Sequence, residues 1–392
     1  VTYLYVVYSL SLLGLLVAGV VEQRRHNANV RSIPVRILVN GIRGKSSITR
    51  LVAGALRGGG LRVVAKTTGT AARLIFPDGS EEPVHRKFDI ANVAEQIGIV
   101  AQASHERPDV LVIECMAIAP DLQEINQSKL VQSTIGVLSN VREDHLQEMG
   151  PTLDDVARSL SRSMPRGGVC VTSEQERTGI LAAEAGQRDC RLVVVDPDEV
   201  TDAEMDGFGR FGFKENVAIA LAVAAELGVT RQEALEGMWS AAPDPGELTV
   251  QTYRLGDTAL RFANVFAAND PESTTANIDR LVVTGAIQEP FWVLINCRPD
   301  RIERNRQMGV LIGSLNADRV ILIGGPTRTA SAAIPRGWPG EILDLGGDRT
   351  AEDIFRRLVE GVSGDVSVVA IGNIHGQGEL LLEHLELLGD LR

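Results

Sequence analysis

The strongest constraint on the fold is a short apolar run, Val35–Val39, that ends directly in Asn40-Gly41-Ile42-Arg43-Gly44-Lys45-Ser46-Ser47. A buried strand that stops at two glycines and reopens as a helix forms a phosphate loop. The glycines let the backbone turn tightly, and the new helix offers free N–H groups and a partial positive charge to an anion. Lys45 then reaches the β- and γ-phosphates of a nucleotide, and the Ser46 hydroxyl can hold Mg²⁺. The spacing is G-x-x-G-K-S-S. Val39 stands where the general pattern G-x-x-x-x-G-K-[ST] has its first glycine, which points to a narrower group of ATP users.

Similar runs follow at Leu61–Ala65, Val110–Glu114, Thr134–Leu138, Gly168–Thr172 and Arg191–Val195. Helical spacing falls between them, at Ile90–Ala103, Leu153–Met164, Lys214–Leu227 and Thr230–Trp239. This alternation predicts an α/β fold with a doubly wound, mostly parallel sheet. The breaker cluster Ala242-Pro243-Asp244-Pro245-Gly246 marks a boundary. A second β/α series follows it, with strands expected near Ala259–Asn264 and at Phe291–Asn296, Arg319–Gly324, Glu341–Leu345 and Val366–Gly372. Helices fit Arg304–Leu315, Ala351–Val362 and Glu379–Leu388. The expected organisation is an N-terminal apolar helix (1–22), a phosphate-loop domain (23–245) and a C-terminal α/β domain (246–392).

Residues 3–21 carry no charge, and Arg24, Arg25 and His26 follow. About 20 apolar residues make a helix long enough to cross a bilayer. Arginines on one side only predict that this side is cytoplasmic. A cleaved signal would place its positive charge before the apolar run instead. Glu22–Ser32 reads as a polar link. With 392 residues and a net charge of −12, the chain is long enough for two cores and offers no basic surface for a nucleic-acid polymer. Its four cysteines show no C-x-x-C spacing, so neither a disulfide scaffold nor a zinc site is expected.

Three further clusters belong at strand ends that face the loop's crevice. Lys66, Thr67 and Thr68, with Gly69 and Thr70, can bind phosphate oxygens or substrate. Glu114 can hold a metal ion or its water. Asn140-Val-Arg-Glu-Asp144-His145 offers His145 as a metal ligand oriented by Asp144. Together with the loop, these clusters resemble the ATP-dependent amide ligases of the Mur family. The resemblance implies a Mur-like central domain and a Rossmann-like C-terminal domain. It places ATP on Asn40, Gly41, Arg43, Gly44, Lys45, Ser46 and Ser47, with Asn216 near the adenine. It assigns Lys45, Glu114 and His145 to catalysis and Ser46, Glu114 and His145 to Mg²⁺.

Glu114-Cys-Met-Ala, Met149-Gly-Pro-Thr-Leu-Asp, Pro243-Asp-Pro-Gly, Ala267-Ala-Asn-Asp, Asn296-Cys-Arg-Pro-Asp-Arg and Gly372-Asn-Ile-His-Gly narrow this further. They resemble the capsule-biosynthesis branch, the ligase subunits of poly-γ-glutamate synthases. That branch implies glutamate and a growing poly-γ-glutamate as substrates, and membrane subunits of a synthase and export complex as partners. It also implies a single-pass membrane location with cytoplasmic catalytic domains, the apolar helix taking the place of a precursor-binding domain. A homo-oligomer stays open. Arg298, Arg301 and Arg304, with Arg306, form a basic cluster suited to the polymer's carboxylates. Arg43 and Arg73 flank the nucleotide clusters. The broader family's hinge arginine is missing at Pro245-Gly246, and its carbamylated lysine has no counterpart in Lys129 or Lys214. Two alternatives remain: another polyglutamylating ligase of this type, or a nucleotide-gated membrane scaffold.

Overall fold

The computed structural model describes all residues except 1, 69–71, 85–91, 209–212, 245–247, 256–257, 269, 361, 363 and 390–392. The chain divides into two compact units, Val1–Asp244 and Pro245–Arg392.

The first unit is built on β1 (Val35–Asn40), β2 (Val63–Lys66), β3 (Arg73–Ile75), β4 (Glu81–Pro83), β5 (Val110–Glu114), β6 (Ile135–Leu138), β7 (Val169–Thr172) and β8 (Arg191–Val194). They form one sheet in the order β4-β3-β2-β5-β1-β6-β7-β8. Six strands run parallel, and β3 and β4 add an antiparallel hairpin at one edge. The hairpin was not foreseen, because its strands are three residues each and show no apolar alternation. The central strands are buried on both faces, as a parallel sheet between helix layers requires; all five residues of β5 are buried.

The helix Lys45–Gly58 follows β1 and buries Ile48, Leu51, Val52, Ala55 and Leu56, a stripe at helical spacing. It crosses Arg231–Trp239 at backbone contact. A Cβ on Gly237 would come within 2.2 Å of Gly54 O, and one on Gly58 within 2.1 Å of Glu233 O. On the other face, Ile99, Val100 and Ala103 of the helix Glu95–His105 pack over Leu38, Val64 and Leu111. The expected start of that helix, at Ile90, lies outside the described residues.

The N-terminal helix corrects one expectation. It runs unbroken from Thr2 to Ser32, so the polar link is helical. Its two ends differ. Residues 3–21 are exposed throughout, whereas His26 and Val30 are buried in the first unit. His26 Nε2 lies 2.9 Å from Leu130 O, which seats the helix on the π-helical turn Asn126–Val131. By length and composition this helix can cross a membrane; its apolar window has a mean hydropathy of 2.3.

The second unit holds β9 (Thr249–Leu255), β10 (Thr258–Asn264), β11 (Phe291–Cys297), β12 (Ala317–Gly324), β13 (Glu341–Gly346) and β14 (Val366–Gly372), in the order β13-β12-β11-β14-β10-β9. Only β9 pairs antiparallel, at the edge, and it was not expected. The helices after β10, β11, β12, β13 and β14 complete a Rossmann-like unit around Leu260, Phe262, Leu294, Ile321 and Val368. The expected helix Arg304–Leu315 starts earlier, at Ile302, and becomes a 3₁₀ turn after Leu311.

Candidate active site

Register brings the site together. β1 lies between β5 and β6, with Val39 opposite Glu114 and Asn40 opposite Leu138. The carboxylate and the 139–145 segment therefore emerge on either side of the phosphate loop. Gly41 turns at φ 127° and Gly44 at φ 79°, conformations that cost a side chain free energy. Gly41 has a second constraint, because a Cβ there would stand 2.0 Å from Ser139 Oγ. The loop is gripped from that side. Asn140 Oδ1 accepts from Arg43 N at 3.0 Å, and its Nδ2 donates to Arg43 O at 3.2 Å. Ser139 Oγ also donates to Arg43 O, at 2.7 Å. Asn140 was visible only as the first letter of its motif; its role as the loop's clamp depends on the β1–β6 pairing.

The helix Lys45–Gly58 begins without a side-chain cap. Three other helices of this unit, at Leu153, Asp202 and Arg231, carry a capping box instead. The first-turn N–H groups of the loop helix are left to a ligand. Lys45 Nζ folds back on the loop, donating to Gly41 O at 2.8 Å and Ile42 O at 3.3 Å. Ser46 Oγ donates to Glu114 Oε2 at 2.7 Å, and Thr68 N donates to the same oxygen at 2.6 Å. Glu114 is 3% exposed. A hydroxyl and a carboxylate joined at the mouth of a phosphate loop make a hard-oxygen donor pair of the kind a divalent cation takes. Ser47 sits half-buried in the same first turn. A cleft of about 250 Å³ is lined by Gly41, Lys45, Thr68, Glu114, Asp144 and His145.

His145 lines the same cleft as Glu114. It adopts a left-handed conformation at φ 49°, its side chain is 44% exposed, and Nε2 lies 3.6 Å from Asp144 Oδ1. Asp144 also faces Arg43 at 3.6 Å. Among the described residues no three His, Cys, Asp or Glu side chains converge as a metal cluster. Of the expected ligand trio, Ser46 and Glu114 bond each other directly, and His145 lines the same cleft as Glu114.

Other expected residues fall elsewhere. The Asn40 amide points into the core, donating to Gln123 Oε1 at 2.8 Å and Ser163 Oγ at 2.9 Å. Lys66 is fully buried and pairs with Glu95 at 2.5 Å, so its ammonium does not open on the cleft. Thr67 is buried, its Oγ1 accepting from Arg73 N. Gly69, Thr70 and Asn269 lie outside the described residues. Asn216 is 8% exposed, with its amide against the Cα of Gly44, so it backs the phosphate loop. Cys115 follows Glu114 in the cleft wall. Burial pushes its thiol up, so it stays protonated and is no nucleophile.

In the second unit, Arg298 forks onto Asp300 at 2.9 and 3.0 Å. Arg301 lies 3.7 Å from the same carboxylate, and Arg306 pairs with Glu303 at 2.6 Å. Arg304 donates to Asn373 Oδ1 at 3.0 Å. Two acids interleaved in the same run, Asp300 and Glu303, offset half the charge of its four arginines.

Residues 39–222 match the family described as Mur ligase middle domain, and residues 250–388 match the poly-gamma-glutamate synthase CapB C-terminal domain. The capsule biosynthesis protein CapB of Bacillus anthracis is 37% identical over 374 residues, covering 94% of this chain and 80% of that protein. The chain belongs to the CapB family. The PGA synthase CapB of Bacillus subtilis strain 168 is 36% identical, with 95% of each chain covered. Solved structures share the fold at low identity. Escherichia coli FolC in complex with ADP has a TM-score of 0.66 at 15% identity, over 94% of this chain and 93% of that one. A bifunctional folylpolyglutamate synthase/dihydrofolate synthase from Yersinia pestis, complexed with AMPPNP and Mn, has a TM-score of 0.67 at 14% identity, over 93% and 92%. This CapB-family chain therefore has the α/β fold of Mur ligases and folylpolyglutamate synthases.

Proposed function

We infer that the protein is an ATP-dependent ligase that joins glutamate into poly-γ-glutamate. The observation that carries this is the Ser46–Glu114 pair at the mouth of an uncapped phosphate-loop helix, in a chain of the CapB family. A carboxylate oxygen of the growing chain attacks the γ-phosphorus of ATP, and ADP leaves with the bridging oxygen. The amine of the incoming glutamate then attacks the acyl phosphate carbon, loses a proton and expels inorganic phosphate, leaving an amide.

The first step brings like charges together, and the loop is suited to offset them. Lys45 must exchange its two loop carbonyls for the phosphates, a short swing within the same turn. The free N–H groups of the first helical turn face the same anion. Ser46 and Glu114 would hold a divalent cation, Mg²⁺ in our reading, which supplies further positive charge there. The fit is supported by the donor chemistry and by relatives of this fold solved with AMPPNP and Mn, one of them also with L-glutamate. His145 and Asp144 line the same cleft and are partly exposed, so they can meet the substrate carboxylate or the amine.

The apolar N-terminal helix fits a single membrane span with the catalytic units on the cytoplasmic side, where ATP is available. Its exposed residues 3–21 then face lipid and the membrane subunits of a synthase and export complex. The function is tested by incubating membranes with ATP, Mg²⁺ and each glutamate enantiomer, then measuring ADP release and γ-linked product. Glutamate-stimulated ADP release with polymer is expected. ADP release indifferent to glutamate, with no amide product, would overturn the ligase reading. Protease added outside intact cells should leave everything beyond residue 26 uncut.

A further inference from the structure

Glu174 is a buried acid that the site described above does not use. It lies just past the end of β7 and is 4% exposed. Its two oxygens face different parts of the chain. Oε1 accepts from Glu176 N at 3.2 Å, Arg177 N at 3.3 Å and Arg177 Nη1 at 3.5 Å, which closes the turn leading into the helix Thr178–Gln187. Oε2 accepts from Val141 N at 2.9 Å, 33 residues back in the chain. The turn by itself needs one acceptor, which a hydroxyl or an amide supplies without burying a charge. Accepting on both sides at once takes a carboxylate, because an amide presents one oxygen and one donor nitrogen.

Val141 ends the strip that grips the phosphate loop. Ser139 N donates to Asn40 O at 2.9 Å, Ile42 N donates to Asn140 O at 3.3 Å, and the Asn140 amide spans the N–H and C=O of Arg43. The same strip is held from its other side by β7. Pairing of β6 with β7 ends at Leu138 opposite Thr172. Two side chains carry it further: Ser173 Oγ donates to Ser139 O at 2.7 Å, and Glu174 takes Val141 N. Val141 is buried, and an unpaired buried N–H is costly, so the strip must shift when that acceptor is lost.

We propose that Glu174 is a positioning residue for the nucleotide: through Val141 N it fixes the strip on which Asn140 holds the phosphate loop in its turn. It acts through Asn140 and touches no ligand. The nucleotide is that of the ligase reading above, on which this proposal rests. A loop set beforehand binds a triphosphate more tightly than one that must be ordered at the moment of binding.

Equilibrium binding of Mg²⁺-ATP to the full chain, with thermal unfolding alongside, tests this without turnover. E174Q keeps the shape of the side chain but can accept on one side only. ATP affinity is expected to fall about tenfold, as for the loss of one charged hydrogen bond. In an N140A background the same substitution should add little, because its route to the loop is gone. R177Q removes a cation from the turn and keeps the Val141 bond, so it should lower the melting temperature and leave ATP affinity unchanged. S173A frees the same strip without touching the buried acid, and should weaken ATP binding by less. Unchanged ATP affinity in folded E174Q, a loss fully additive with N140A, or an equal loss in R177Q overturns the positioning role. If E174Q does not fold, S173A decides: a loss of ATP affinity that vanishes in the N140A background supports the role, and no loss overturns it. Unaltered protein that binds no ATP overturns the nucleotide reading, and this proposal with it; unaltered binding with an indifferent E174Q overturns only the role of Glu174.

Discussion

The two units each contain a strand that ends in a glycine turn and reopens as a helix. In the first unit β1 passes through Gly41 and Gly44 into Lys45–Gly58; in the second β14 passes through Gly372 and Gly376 into Gln377–Gly389. All four glycines have positive φ. The turns are completed differently. At the first, the loop carbonyls are held by Lys45, a cation that can move to a ligand, and the turn faces a cleft. At the second, the Asn296 amide donates to Asn373 O and His375 O, and Gly378 packs so close that a Cβ would lie 2.7 Å from Asn296 Nδ2. Asn296 itself is 1% exposed. One set of glycines frees N–H groups for an anion, and the other lets the backbone close on a buried side chain. The glycines are equivalent in sequence; the neighbouring strand decides which use they serve.

This contrast can be broken by substitution. The largest effect is expected for K45A, which should reduce ligation by about a thousandfold or more while the fold survives, because among the described residues Lys45 Nζ bonds its own loop. Retention of most turnover, measured as ADP release, would remove the distinction between the two turns. Next come S46A and E114Q. Each should lower Mg²⁺-dependent activity about a hundredfold, and the double variant little further, because the two groups bond each other. H145A combined with E114Q should be closer to additive, since the His145 side chain pairs with Asp144 rather than with Glu114 among the described residues. A magnesium titration of the three single variants S46A, E114Q and H145A and of the two double variants checks both statements.

N296A addresses the other turn. It leaves the buried Asn373 carbonyl and the part-buried His375 carbonyl without their donor and should cost about 1–3 kcal/mol in the unfolding of the second unit. ATP affinity should not change; loss of nucleotide binding would show that the second turn is also part of the nucleotide site. The smallest effect is expected for R298A. Its guanidinium is engaged by Asp300 on a half-exposed surface, so stability should shift by less than about 1 kcal/mol. A large rise in the KM for glutamate would show that Asp300 yields Arg298 to the substrate.

Much of the architecture was legible because parallel strands buried on both faces need continuous apolar runs. Val110–Glu114 and Val366–Gly372 were read to the residue. The edge strands β3, β4 and β9 were not, since they pair antiparallel at the periphery and carry mixed residues. The unbroken helix to Ser32 was hidden in the same way. Its polar last turns look like a linker until His26 and Val30 find their places in the first unit.

The candidate site divides along similar lines. Local chemistry determined the loop: two glycines, a lysine and a serine at the end of a strand leave few alternatives, because the motif and its conformation occupy one turn of chain. The carboxylate partner was also marked, by an acid closing an apolar strand. Tertiary structure alone decided which polar groups remain available. Lys66 and Asn40 read as ligands and are engaged in the core, by Glu95 and by Gln123 with Ser163. Asn140 read as one letter of a motif and holds the loop. Arg57 drew no notice as an ordinary helix residue, yet its Nη1 is buried without a hydrogen-bond partner among the described residues. Sequence determines which groups a residue brings, but hydrogen-bond partners come from strands and helices remote in the chain, so whether a donor or an acceptor is left for a ligand is set only when the sheet is assembled.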